Sequence, residues 1–207
     1  MKLLFCTFLV ISSLYASINL KNIDILKQQS QAGNIKANFE LGKYYYKKHN
    51  LDLAMIYFKK AAIYDDPKAI FNIAIIYANK KYRYFNYKKS LKFFKQLALD
   101  NYAPAQYMLG MIFLYGINKD YTKAKNWFEY AFFENHYKKA SCQLAYMYIY
   151  GKGVLVNLGR ANKLTKYGLK ENLPLCKQLY KEFHLYKYKK DKGFKFGYYK
   201  KDFKKNR

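Results

Sequence analysis

The chain has 207 residues, 52% of them hydrophobic and 20% aromatic, which is enough to bury a sizeable core and excludes a disordered polymer. Three prolines and ten glycines favour helices over a turn-rich all-β fold. The formal charge of +26, taken alone, points to a polyanionic partner such as nucleic acid, anionic lipid or an acidic glycan.

The first element narrows that set. "MKLLFCTFLVISSLYAS" places Lys2 before an apolar run from Leu3 to Leu14 and closes with Ala16 before Ser17. This is the three-part pattern of a secretory signal peptide over residues 1–16. The run is shorter than the roughly 20 residues that span a bilayer. The alternative is an uncleaved membrane-proximal helix. Export to the periplasm or outside the cell sets nucleic acid aside as a partner despite the charge. After cleavage only Cys142 and Cys176 remain, too few for a disulfide framework in a chain of this length. They could pair, but buried free thiols are the expected state.

A half-unit, Ile23 to Asn34, then leads into a pattern that returns four times. "ANFELGKYYY" begins at Ala37, "AIFNIAIIYA" at Ala69, "AQYMLGMIFL" at Ala105 and "ASCQLAYMYI" at Ala140. Their fifth position holds Leu41, Ile73, Leu109 and Leu144; the sixth holds the small Gly42, Ala74, Gly110 and Ala145; the ninth holds Tyr45, Tyr77, Phe113 and Tyr148. A second block follows each, from Ala54, Ser90, Ala124 and Ala161. Bulky residues stand at +3 and +4 of these blocks (Tyr57 and Phe58, Phe93 and Phe94, Trp127 and Phe128), with Thr165 a weak match in the fourth. The spacing 0, 3, 4, 7, 8 is one face of an α-helix. Each unit is therefore read as two amphipathic helices, in which the small sixth residue lets the aromatic pair of the second helix come close. Leu173 to Phe183 would start a closing helix.

This pattern, A-x-x-x-L-G-x-x-Y, a turn, then K-A-x-x-W/Y-F/Y-x-x-A-A, resembles the Sel-one-like repeat, which is related to the tetratricopeptide repeat. The best copy runs from Ala105 to Glu134, with Leu109, Gly110, Gly116, Lys123, Ala124, Trp127, Phe128 and Ala131 in place, and "YGKGV" in the fourth copy keeps the glycine-rich turn. The resemblance implies an all-α fold, an α/α solenoid in a right-handed superhelix of about four degenerate repeats over residues 17–184. It implies a scaffold or adaptor rather than an enzyme, with no cofactor and no metal. More distantly the chain is similar to the secreted, cysteine-rich Sel-one-like proteins of helicobacters, some of which are labelled β-lactamases; this leaves a β-lactamase-like or cell-wall-acting hydrolase as the alternative.

No catalytic constellation stands out: Ser-x-x-Lys, Lys-Thr-Gly and His-x-His-x-Asp do not occur, and His49, His136 and His184 lie in different units. Asp52 and Asp120 precede second helices, where carboxylates cap. Lys59, Lys60, Lys92, Lys95, Lys123 and Lys125 fall on the outward side of those helices. The tail, residues 185–207, interleaves lysine with tyrosine and phenylalanine and is expected to be disordered; with the basic face it offers contact to an anionic envelope surface. Repeat solenoids bind along a concave wall. At 100° per residue, positions +2, +6 and +9 of each first helix point away from the second helix. They hold Phe39, Lys43 and Tyr46; Phe71, Ile75 and Ala78; Tyr107, Met111 and Leu114; Cys142, Tyr146 and Ile149. The apolar members form the candidate groove for a protein or peptide partner, with Tyr107, Met111 and Tyr146 as its anchors. The competing expectation is that neighbouring first helices bury them. A monomer is expected.

Overall fold

The computed structural model describes residues 22–189; the expected signal segment and residues 190–207 lie outside the described residues. The start of the tail expected to be disordered is instead ordered, with a 3-10 turn at Leu185–Lys187 and Leu185 buried in the core. Helix α1 covers residues 22–31. It is followed by α2 (Ile35–Lys47), α3 (Leu51–Ala62), α4 (Pro67–Ala78) and α5 (Tyr87–Leu99). Next come α6 (Ala103–Tyr115), α7 (Tyr121–Glu129), continued by a π turn at Tyr130–Glu134, α8 (Lys138–Tyr150), α9 (Leu158–Lys170) and α10 (Pro174–Glu182). The described residues contain no strand. The fold is all-α, of the solenoid-repeat class, and the chain divides within α5 into a first unit up to Phe93 and a second from Phe94.

Each first helix is joined to its second by a turn that closes in the same way. The residue before the second helix is Asn50, Asn86, Asp120 or Asn157, and its side chain accepts the N–H of Leu53, Lys89, Lys123 or Arg160. Its own N–H donates at 2.9 Å to the carbonyl of Tyr45, Tyr77, Phe113 or Tyr148. Those four acceptors are the aromatic ninth residues of the repeat. In the first two hairpins the ring also stacks on the +3 aromatic of the second helix: Tyr45 on Tyr57 at 5.4 Å and Tyr77 on Phe93 at 6.2 Å. One residue therefore satisfies an orphan helix-end donor and joins the two helices. Asp52, expected as a cap, is the second residue of α3 instead and bonds to Tyr84 and Arg83, while Asn50 caps. The Tyr84 hydroxyl, with the Arg83 charge, lowers the Asp52 carboxyl from its ordinary range.

The links between hairpins share a second device. Gly33, Asp65, Asn101, His136 and Asn172 all adopt positive φ, between 54° and 81°, and each stands four residues before Ala37, Ala69, Ala105, Ala140 or Cys176. Glycine, Asn, Asp and His are the residues that tolerate this region best. It reverses the chain, and the next N–H returns to the helix just ended, as in Tyr102 to Leu97 and Leu173 to Gly168, both at 2.9 Å. From cap to left-handed residue the distance is 15 residues in three hairpins (50 to 65, 86 to 101, 157 to 172) and 16 in the remaining one (120 to 136). That extra residue is taken up as the π turn Tyr130–Glu134.

Packing explains the small sixth residue. Phe58 and Phe128 are fully buried, and each ring lies on the backbone of the facing helix. A Cβ built on Gly42 would come 2.5 Å from the Phe58 ring, and one on Gly110 would come 2.5 Å from the Phe128 ring. Ala74, Ala145, Leu41, Leu109 and Leu144 are buried, as the repeat predicts, whereas Trp127 at +3 is half-buried. Thr165, the weak match, is fully buried and donates its hydroxyl proton to the chain one turn back, at Ala161 O or Asn162 O.

The cysteines correct the expectation of free thiols. Cys142 on α8 and Cys176 on α10 form a disulfide, S–S 2.12 Å, and both residues are buried. Gly168 on α9 lies directly beneath it; any Cβ there would overlap the sulfur of Cys176 and come 2.6 Å from that of Cys142. The bridge ties the closing helix to the last hairpin.

Gly110→Leu should lower stability by more than about 2 kcal/mol, because the obstructing atoms belong to a rigid, fully buried ring. Thermal unfolding checks this: the midpoint should fall, and a wild-type midpoint would place the glycine outside the hairpin contact.

Candidate functional site

The face of the first helices turned away from their partners is where the groove residues were expected. In the first unit, Phe39 packs on Phe58 at 5.9 Å with the Lys43 ammonium 5.4 Å over its ring. Tyr46 meets Tyr82, edge to face at 6.4 Å. Burial and its bond to Tyr82 push the Tyr46 phenol up to about 12. Phe71 and Ile75 are half-buried on α4.

In the second unit, two expected members leave the wall. Leu114 and Ile149 are buried within the core formed with Phe128, Leu144 and Leu164, so they line no open surface. Cys142, another wall position, is in the disulfide. Tyr107 and Met111 are half-buried and pack against the same core. Tyr107 rests on Phe128 at 5.6 Å and Tyr137 at 5.4 Å. It supports the hairpin as much as it faces solvent.

Two residues outside the expected set complete the face. Tyr115, the last residue of α6, is 49% exposed, and Tyr150, the last of α8, is 43% exposed. Tyr115, Tyr146, Tyr150 and Phe183 follow one another at centroid distances of 6.0, 4.6 and 5.4 Å, giving a continuous row of rings. Buried Gln143 ties this row to Tyr107: its Nε2 donates to the Tyr107 hydroxyl at 3.3 Å, and its Oε1 accepts from the Tyr115 hydroxyl at 3.2 Å. Burial, with Tyr146 and Tyr107 close by, pushes the Tyr115 phenol up to about 12, so it remains a proton donor to Gln143 at neutral pH.

The helical wheel accounts for the shift. With the packed face centred near about 65°, its opposite lies near about 245°. Position +10 falls at about 280° and position +9 at about 180°, so +10 is the nearer of the two. Tyr115 and Tyr150 are the +10 residues, and Leu114 and Ile149 the +9 residues. The signal lay in the periodicity already used.

The remaining candidates are dispersed. His49, His136 and His184 all occupy left-handed turn positions, with φ of 58°, 54° and 46°. Of the expected outward lysines, Lys59, Lys60, Lys92, Lys95 and Lys123 are exposed. Lys125 instead is half-buried in an ion pair with buried Glu129 at 3.3 Å. Burial raises the Glu129 carboxyl above its ordinary range, against the pull of Lys125.

The Sel1 repeat family profile matches residues 28–48, 35–63, 103–132 and 138–168. The α4/α5 hairpin lies outside these matches although its turn closes like the others. Similar solved structures include the following two. A protective antigen of uropathogenic Escherichia coli with an SLR fold shares 22% identity at a TM-score of 0.66, over 81% of this chain and 37% of its own. A Sel1 repeat protein from Oxalobacter formigenes shares 24% at 0.62, over 77% of this chain and 66% of its own. The present chain thus spans less than two thirds of either, and at these identities the likeness establishes the fold. Comparison with curated proteins gives no match. Repeated matches to one family profile, in helices that close and pack by one rule, make this chain a Sel1-repeat protein.

Proposed function

We propose that the chain is an exported scaffold that holds a protein or peptide partner against the tyrosine row of α6 and α8. Sel1-repeat proteins mediate protein–protein interaction and are typically non-enzymatic scaffolds. The observation that carries the proposal is the pair Tyr115 and Tyr150, half in solvent yet fixed by ring contacts and by Gln143. Tyrosines held in place lose little conformational entropy on binding and offer both an apolar ring and a hydroxyl, which is why they concentrate at interfaces. Tyr107 contributes from beneath, as a support rather than an anchor.

The export half of the reading rests on two supports. Residues 1–16 have the composition of a signal peptide. The buried Cys142–Cys176 bridge is of a kind that persists in oxidising compartments and is rare where thiols are kept reduced. Outside the cytoplasm, a protein partner and the anionic envelope are both within reach of a chain carrying +26.

A photocrosslinking residue placed at Tyr150 should capture a protein in the producing cells, and the same residue at Lys59, on α3, should not. Tyr115→Ser with Tyr150→Ser should abolish capture from a crosslinker at Tyr146 while leaving helix content near wild type, with the melting midpoint lowered by the loss of the Gln143 bond but the chain still folded. Equal capture by the double variant would refute the tyrosine face. For export, mass spectrometry of the mature protein should find Ser17 at the N-terminus. Intact Met1 on protein in cytoplasmic fractions would overturn it.

A further inference from the structure

The two hairpin turns of the second unit, residues 116–120 and 151–157, hold large aliphatic side chains in solvent. Ile117 is 93% exposed, Leu155 91% and Val156 62%. Scattered apolar residues on a surface need no explanation. These, however, belong to turns that touch: a Cβ on Gly153 would fall 2.5 Å from the Cβ of Tyr121, the residue directly after the first turn.

Both turns are fixed. In the first, Gly116 N–H donates to Ile112 O at 2.8 Å and Asp120 N–H to Phe113 O at 2.9 Å. In the second, Lys152 N–H donates to Met147 O at 3.0 Å and Asn157 N–H to Tyr148 O at 2.9 Å, with Gly151 and Gly153 left-handed. The backbone therefore presents the aliphatic tips in a set position. At such exposure the side chains of Ile117 and Leu155 add almost nothing to the hairpin cores, so the fold does not require them to be apolar.

The same turns and the helix starts that follow them carry lysines. Lys119 and Lys123 follow Ile117 within six residues, and Lys152 stands three residues before Leu155, with the Lys152 ammonium 5.6 Å over the Tyr121 ring. The single carboxylate of the two turns, Asp120, is engaged as a helix cap and with the Lys123 ammonium at 3.0 Å. At the opposite helix ends of this unit, the loops 135–137 and 171–173 expose no large apolar side chain. Exposed aliphatic tips on turns that also carry lysines offer a protein no pocket. They suit a surface that accepts hydrocarbon beneath a layer of phosphates.

We propose that this edge of the second unit is a peripheral anchor for an anionic lipid bilayer. Ile117, Leu155 and Val156 enter the interface while Lys119, Lys123 and Lys152 meet lipid phosphates. The assignment does not depend on the tyrosine row, and neither result below alters capture at Tyr150.

The test uses the full chain, basic tail included, with vesicles of phosphatidylglycerol and phosphatidylcholine in equal parts, and of phosphatidylcholine alone. The protein should sediment with the anionic vesicles only, and less so in about 0.5 M salt. Ile117→Ser, Leu155→Ser and Val156→Ser together should weaken that binding by about tenfold or more, with circular dichroism and melting unchanged. An environment-sensitive dye on Leu155→Cys should brighten with anionic vesicles, and the same dye on Lys59→Cys should not. Wild-type sedimentation by the triple variant, a silent dye at position 155, or no binding by the wild type would each overturn the assignment; the first would give the attraction to charge elsewhere in the chain.

Discussion

A phenylalanine ring lying flat on the backbone of a neighbouring helix needs a gap in that helix's side chains, and the gap must recur wherever the ring does. In this protein Gly42 opens it for Phe58 and Gly110 opens it for Phe128. A glycine inside a helix costs about 1 kcal/mol against alanine. Complete burial of a phenylalanine is worth roughly 1.5–3 kcal/mol, so the exchange favours the closer approach. The distance between the two helices of a hairpin follows from it, and so does the reach of the ninth-position aromatic to the second helix. Gly168 repeats the solution for a different guest, making room for the bridge between Cys142 and Cys176.

Much of this was legible in the residues themselves. The small sixth residue, the aromatic ninth and the 0, 3, 4, 7, 8 spacing are local and periodic, so four imperfect copies placed every hairpin. The left-handed residues were harder to see because Gly33, Asp65, Asn101, His136 and Asn172 share a conformation and not a side chain. Once aligned, they show that Cys176 occupies the leading position otherwise held by alanine. That register was the available clue that Cys176 packs close to the last hairpin. The π turn is a matter of one surplus residue, visible only when two loops are counted against each other.

The candidate site was read less well than the fold, for a geometric reason. A helix face is about 100° wide or more, and choosing +9 over +10 moves the aim by one residue step. That step replaced the exposed Tyr115 and Tyr150 by the buried Leu114 and Ile149. Gln143 was passed over because a polar residue at +3 looks like a solvated one; in fact it is buried and holds two tyrosine hydroxyls. In both cases tertiary contact assigned a role that composition could not.

The claim that the ring-on-glycine contact sets the hairpin geometry can be tested by a double-mutant cycle at Gly110 and Phe128. Gly110→Ala and Phe128→Leu each destabilise alone, but the smaller, flexible leucine should tolerate the new methyl group. The two losses should therefore combine to less than their sum by about 1 kcal/mol or more, a coupling expected only of residues in contact. Simple additivity in the denaturant unfolding free energies would contradict the account.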